Sequence, residues 1–247
     1  MLGGPLGAAL GAAFGHNFDK GMSGLGKVGF TGDIQRIQTA FFTATFSVMG
    51  HLAKSDGQVS RAEIHIAEDL MSQMRLNASQ KQVAQRLFNE GKKKGFPLDD
   101  ALMQFRQECH RRKLLLQMFM EIQVAVALSD GELQKSELQI LQHCASRLGF
   151  TGVEFQGILQ RIQAQVHSQA QPRTQQGMPL EDAYKLLGIT SSASEQDVKK
   201  AYRRQMNQHH PDKLVSKGLP EEMMELANKK VHDIKQAYET IRASRKK

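Results

Sequence analysis

The chain has no tryptophan, three tyrosines and two cysteines among 247 residues. Clusters of β-branched residues are scarce as well. Each shortage removes a class of protein. Met, Leu, Ala, Gln and Lys fill the space instead, and most of these are good helix formers, so the expected structure is helical with little or no sheet. Cys109 and Cys144 fall inside helical patterns without a Cys or His at ligand spacing, which argues against a zinc site or a disulfide framework. There is no G-x-S-x-G elbow and no H-E-x-x-H helix, so the nucleophile or metal that a hydrolase needs is not offered. Gly21 to Lys27 has the spacing G-x-x-x-x-G-K of a phosphate-binding loop. Val28 follows where Ser or Thr would face magnesium, and no strand precedes it. The sequence therefore calls for no cofactor and no catalytic residue.

What is present begins with an uncharged start. Met1 to Gly15 carries no ionisable side chain, and Gly3, Gly7, Gly11 and Gly15 recur every fourth residue. In an apolar helix that period places the glycines on one face, where a second helix can approach closely. A signal peptide would open on basic residues, which are absent. At about 1.5 Å per residue the segment reaches roughly 22–27 Å, against a hydrocarbon core of about 30 Å. Residues 1–18 are thus expected to form a partial membrane anchor and a contact for a homodimer. His16, Asp19, Lys20, Lys27 and Arg36 follow, placing the rest of the chain on the positive, cytoplasmic side of an inner membrane. A formal charge of +8 suits an acidic partner surface or anionic lipid. A nucleic-acid partner is not expected, because Glu195 and Asp197 interrupt the basic residues near the end of the chain.

Residues 19–32 are too rich in glycine for a helix and are expected to form a linker. Residues 33–166 carry apolar positions at helical intervals, beginning with Ile34, Ile37, Phe41, Thr45, Val48 and Leu52. The run RKLLLQMFMEIQVAVAL is apolar on nearly every side, as the central helix of a bundle would be. Two stretches echo each other: HLAKSDGQVSRAEI at 51–64 and VALSDGELQKSEL at 126–138. Asp56 corresponds to Asp130, Gly57 to Gly131, Val59 to Leu133 and Glu63 to Glu137. Capping explains most of the pattern, since Ser60 and Glu63 have the spacing of a capping box. With these turns, the segment resembles the tellurite-resistance protein B-like family of all-helical domains. That resemblance implies a metal role for acidic residues near the turns, here Asp56, Glu63, Asp130 and Glu137. Hard cations need several oxygen ligands, and each copy supplies two obvious carboxylates, so structural turns are the expected reading.

Gln, Pro, Gly and Ser take over at 167–179, as in a polar linker. From Leu180 the pattern sharpens into a terminal module, 180–247. EDAYKLLG closes on Gly188, and Ser194-Glu195-Gln196-Asp197 has the form of a capping box opening the next helix. Val198, Ala201, Tyr202 and Met206 make an apolar stripe, while Lys199, Lys200, Arg203 and Arg204 form a basic face. Pro211 ends that helix. Ala227, Val231, Ile234, Tyr238 and Ile241 then give a matching stripe, so residues 195–209 and 221–242 are expected to pair antiparallel with His210-Pro211-Asp212 at the tip.

A His-Pro-Asp tripeptide at the foot of a basic amphipathic helix, with Tyr184, Leu187, Ala201, Tyr202, Ala237 and Tyr238 around it, resembles the J-domain family. The resemblance implies a partner, a chaperone of the seventy-kilodalton heat-shock class. It further implies that His210, Pro211 and Asp212 stimulate that chaperone's ATP hydrolysis, and that Lys199, Lys200, Arg203 and Arg204 dock on it. His209 stands where the family commonly has tyrosine, and the Phe usual early in the third helix has no counterpart beyond Met224 or Leu226. The order of glycine-rich start, helical domain and terminal J domain resembles that of membrane-anchored bacterial DnaJ-like co-chaperones. The expected fold is all-α, a helical bundle followed by a J-domain hairpin. The expected role is that of a co-chaperone at the cytoplasmic face of the inner membrane. The alternative is a membrane-associated scaffold or metal-sensing protein whose J-like module only recruits a partner.

Overall fold

A computed structural model describes residues 32–55, 68–72, 74, 76–128, 133–170 and 178–245 of the chain. The expected anchor at 1–18 and three of the acidic turn residues, Asp56, Glu63 and Asp130, lie outside the described residues. Among the described residues every regular element is a helix. Six of them, with a further helical stretch at 68–72, belong to the upstream bundle: α1 (Gly32–Ala53), α2 (Ala78–Gly91), α3 (Leu98–Glu108), α4 (Lys113–Ala127), α5 (Lys135–Leu148) and α6 (Gly152–Ala170).

α1 is buried from Ile37 to Gly50 without a break, hydroxyl residues included. Three of the four hydroxyls are satisfied within the helix, and that of Thr45 has no partner among the described residues. Thr39 donates to the Gln35 carbonyl at 2.9 Å, Thr43 to Thr39 at 2.8 Å and Ser47 to Thr43 at 2.7 Å. Such back-bonding to the preceding turn lets a polar residue enter a core without an unmet donor. α1 and α2 cross at backbone contact. A Cβ added to Gly50 would lie 1.9 Å from the Phe88 carbonyl oxygen, and one on Gly91 would lie 1.8 Å from that of Ser47. Only glycine fits at either position.

α4 is the central helix, as its apolar sequence suggests, with Leu115, Leu116, Met118, Phe119, Met120, Ile122 and Val124 all buried. Phe119 packs on Phe105 at 4.9 Å between ring centres, and Phe105 meets Phe41 edge-on at 5.8 Å, which joins α4, α3 and α1. Where the two echoed stretches are described, they come together: the Ser55 and Ser136 hydroxyls lie 3.3 Å apart. Glu137 accepts the Gln134 amide at 3.0 Å, so the carboxylate end of a capping box forms although Gln stands at the cap.

The terminal module consists of α7 (Leu180–Leu187), α8 (Glu195–His209), α9 (Pro211–Val215) and α10 (Met224–Arg245). A short 3₁₀ turn at Glu221–Met223 leads into α10. The module has a core of its own, built from Ala183, Leu186, Leu187, Val198, Ala201, Ile234, Ala237 and Ile241. Tyr202 and Tyr238 stack at 4.2 Å on its edge. The module is also packed onto the bundle. α7 lies along α6, and Leu214, Leu219, Met223 and Ala227 are buried in the bundle's core. Met223 thus fills the early position of the third helix for which the sequence suggested Met224 or Leu226. Both of those are half-buried.

Candidate functional site

α8 starts where the sequence places its cap. The Ser194 hydroxyl accepts the Asp197 amide at 3.2 Å, and the Asp197 carboxylate accepts the Ser194 amide at 3.3 Å. From that start the helical period puts Lys199, Lys200, Arg203 and Arg204 in solvent. The four are not equivalent. Lys199 pairs with Glu195 one turn back at 3.2 Å. Arg204 leans toward α7, its guanidinium 3.5 Å from the Leu187 carbonyl. Lys200 and Arg203 are the outward members of the face.

α8 ends at His210, whose extended backbone (φ −63°, ψ 124°) opens α9 in the same step. Pro211 takes the first position of α9, where a missing amide hydrogen costs nothing. The His210 carbonyl accepts from the Lys213 and Leu214 amides, each at 3.1 Å. The tripeptide is therefore a corner between two helices, and its second and third residues belong to a helical turn. The Asp212 side chain is 87% exposed and that of His210 47%. Their closest approach, 3.8 Å from Nδ1 to a carboxylate oxygen, is beyond a hydrogen bond. Both polar groups face outward, and neither side chain is hydrogen-bonded among the described residues.

The residues on either side are held by the bundle. His209 is buried, with its Nε2 3.7 Å from a carboxylate oxygen of Glu121 on α4. The other Glu121 oxygen lies 3.4 Å from the Lys230 ammonium of α10. Gln117 donates to Glu121 at 2.9 Å. Lys230 donates to Gln165 at 2.8 Å, and Gln165 donates to Asp233 at 2.7 Å, so the seam between module and bundle is stitched by alternating partners. Beyond the tripeptide, Arg112 donates to the Lys217 carbonyl at 2.8 Å. Gly218 has φ +98°, in the left-handed region, and a Cβ there would lie 2.8 Å from Ile37.

Burial works against ionisation of Glu121, but the charges of Lys230, His209 and Arg161 and the Gln117 hydrogen bond outweigh it and hold the carboxyl down at about 2. Burial pushes His209 the other way for a base, down to about 4, against the attraction of Glu121. The same desolvation raises both thiols, Cys109 and Cys144, to about 12, which makes them unreactive packing residues.

Sequence reasoning missed the seam. Glu121 is the one acidic residue in the run LLLQMFMEIQVAVAL, and a lone carboxylate in an apolar helix is a legible sign of a partner from elsewhere. Nothing in the sequence names that partner. Of the acidic turn residues, Glu137 is occupied at the start of α5. Among the described residues no group of three or more His, Cys, Asp or Glu side chains is placed to hold a metal ion.

A helical hairpin that presents an outward His-Pro-Asp corner beside a basic helix, mounted on a second helical domain, defines a J-domain protein with an accessory bundle. Comparison with known proteins agrees at both ends. The tellurite resistance protein TerB family matches residues 42–160 and the DnaJ domain family residues 182–247. Co-chaperone protein DjlA of Photobacterium profundum is 42% identical over 263 residues, covering 98% of this chain and 94% of its own. The protein of that name in Shewanella oneidensis is 45% identical, covering 94% and 88%. The one in Escherichia coli K12 is 42% identical, covering 98% and 92%. The chain belongs to the DjlA co-chaperone family. No solved structure gives a significant match.

Proposed function

We propose that the chain docks on a chaperone of the seventy-kilodalton heat-shock class through α8 and stimulates its ATP hydrolysis through His210, Pro211 and Asp212. It is a co-chaperone of the J-domain class and not itself an enzyme. The bond broken is in the chaperone's nucleotide. The co-chaperone's contribution is binding energy that favours the partner's hydrolysis-competent state. Lys199, Lys200, Arg203 and Arg204 would steer the encounter with an acidic surface, and Pro211 would hold the two polar side chains ready.

The observation that carries this reading is the contrast at the corner. His209 and Leu214 on its two sides are buried, while His210 and Asp212 face solvent without a hydrogen bond between them. Two polar groups held rigidly outward suit recognition by a partner. In a single-turnover ATPase assay, His210→Gln and Asp212→Asn should each abolish the stimulation given by the unaltered chain while leaving its circular dichroism unchanged, because surface substitutions seldom disturb a fold. Full stimulation by both variants would overturn the reading.

The rest of the chain is assigned accordingly. Residues 1–18 are proposed as the inner-membrane anchor and dimer contact, 19–32 as a linker, 33–170 as the bundle domain, since α6 runs to Ala170 where the sequence suggests a linker from 167, 171–179 as a second linker and 180–247 as the J domain, with both domains in the cytoplasm. The uncharged start and its four-residue glycine period support the anchor. Among the described residues no helix is long and apolar enough to cross a membrane.

A further inference from the structure

We infer that Glu121, a bundle residue, positions the His-Pro-Asp corner for the chaperone, so that the bundle sets the geometry of the stimulating site. The inference rests on the docking function proposed above. A carboxylate with a 5% exposed side chain, on a helix whose other buried residues are apolar except Gln123, loses its hydration and needs compensation. An apolar residue of similar volume would pack α4 without that demand. The charges that compensate Glu121 come from both domains, Lys230 of α10 and Arg161 of α6. Its oxygens face His209 at 3.7 Å and Lys230 at 3.4 Å, with only Gln117 bonding it from its own helix.

His209 adjoins the tripeptide directly. Its ring is buried, and neither nitrogen has a hydrogen-bond partner among the described residues, so the ring is placed by packing against Glu121 and its surroundings. Lys230 fixes α10 at the same depth, which sets the spacing of the two helices whose tip carries the corner. On the far side, Arg112 holds the Lys217 carbonyl and Leu214 and Leu219 are sunk in the bundle's core. The exposed tripeptide is therefore clamped before and after by bundle contacts. Removing the Glu121 charge frees the near clamp and leaves the far one in place.

Glu121→Gln keeps size and hydrogen-bonding capacity without the charge, and Glu121→Asp keeps the charge. In single-turnover ATPase titrations with the full chain, the maximal stimulation by Glu121→Gln should fall about tenfold, as for a corner in its competent geometry a tenth of the time. The half-saturating concentration should stay within about twofold, since the basic face is untouched. Glu121→Asp should recover most of the stimulation. Hydrogen exchange should quicken at residues 209–219 in Glu121→Gln and stay unchanged in α1 and α2. Unaltered stimulation with unaltered exchange at 209–219 would overturn the inference. So would exchange that quickens equally throughout, which marks a general loss of stability. If the unaltered chain fails to stimulate any chaperone, the docking reading falls, and exchange at 209–219 still decides whether Glu121 positions the corner.

Discussion

Consecutive histidines here have opposite lives. His209 is the last residue of α8, 2% exposed against a carboxylate, and His210 caps that helix in solvent. Sequence shows two adjacent imidazoles and cannot separate them, because the difference arises from which side of the last turn meets the bundle. The separation has a titration signature. Folded, His209 sits at about 4, whereas in the unfolded chain it returns to its ordinary value of 6.5. Between those values the unfolded chain binds more protons, so this contribution to stability is full above about 6.5 and declines as pH falls toward 4. Glu121, held at about 2, adds a loss in the same direction that begins lower, as pH drops through the ordinary glutamate value. Urea unfolding between pH 7 and 4.5 should show stability falling with acid, and His209→Gln should flatten that fall. An identical slope in both proteins would remove His209 from the account.

At the scale of elements, the basic helix was the most legible part. Its cap at Ser194, its end before Pro211 and its alternation of apolar and charged residues all appear in the structure. These features are local, set by capping and by a ring that cannot extend a helix. What followed was not legible. The tripeptide enters α9 without a loop, and α10 begins at Met224 after a 3₁₀ turn. A five-residue helix has too few internal hydrogen bonds to stand alone, and α9 exists because Leu214 is anchored beneath it. The basic face also divides once placed in space. Arg204 turns to the Leu187 carbonyl, so its removal would disturb the module itself. Lys200→Glu with Arg203→Glu is the cleaner test of docking. Association with the chaperone should slow and lose part of its salt dependence, with the thermal midpoint unchanged. Association rates that match the unaltered chain at both low and high salt would exclude this face as the docking surface.

At the scale of the whole molecule, two domains that read as beads on a polar linker meet along a packed seam. Hydrophobic contact from Leu214, Leu219 and Met223 and the buried Glu121–Lys230 pair tie them together. The start of the chain carries the anchor proposed above. If residues 1–18 pack glycine face to glycine face in lipid, the full natural chain should stay with the inner membrane after alkaline extraction, and Gly7→Leu or Gly11→Leu should weaken its dimer without unfolding the cytoplasmic part. Recovery of the natural chain wholly in the soluble fraction would end the anchor proposal.

The sequence by itself determined the helical class, the central place of α4, the cap and end of α8, and the tripeptide with its basic flank. All of these follow from periodicity, capping and proline, which act over a few residues. Tertiary structure alone decided that His209 is buried and His210 free, that Met223 and not Met224 fills the core, and that Glu121 answers to Lys230 across the seam. A buried charge declares in sequence only that it needs a partner. Which one it finds depends on how two helices more than a hundred residues apart come to lie side by side.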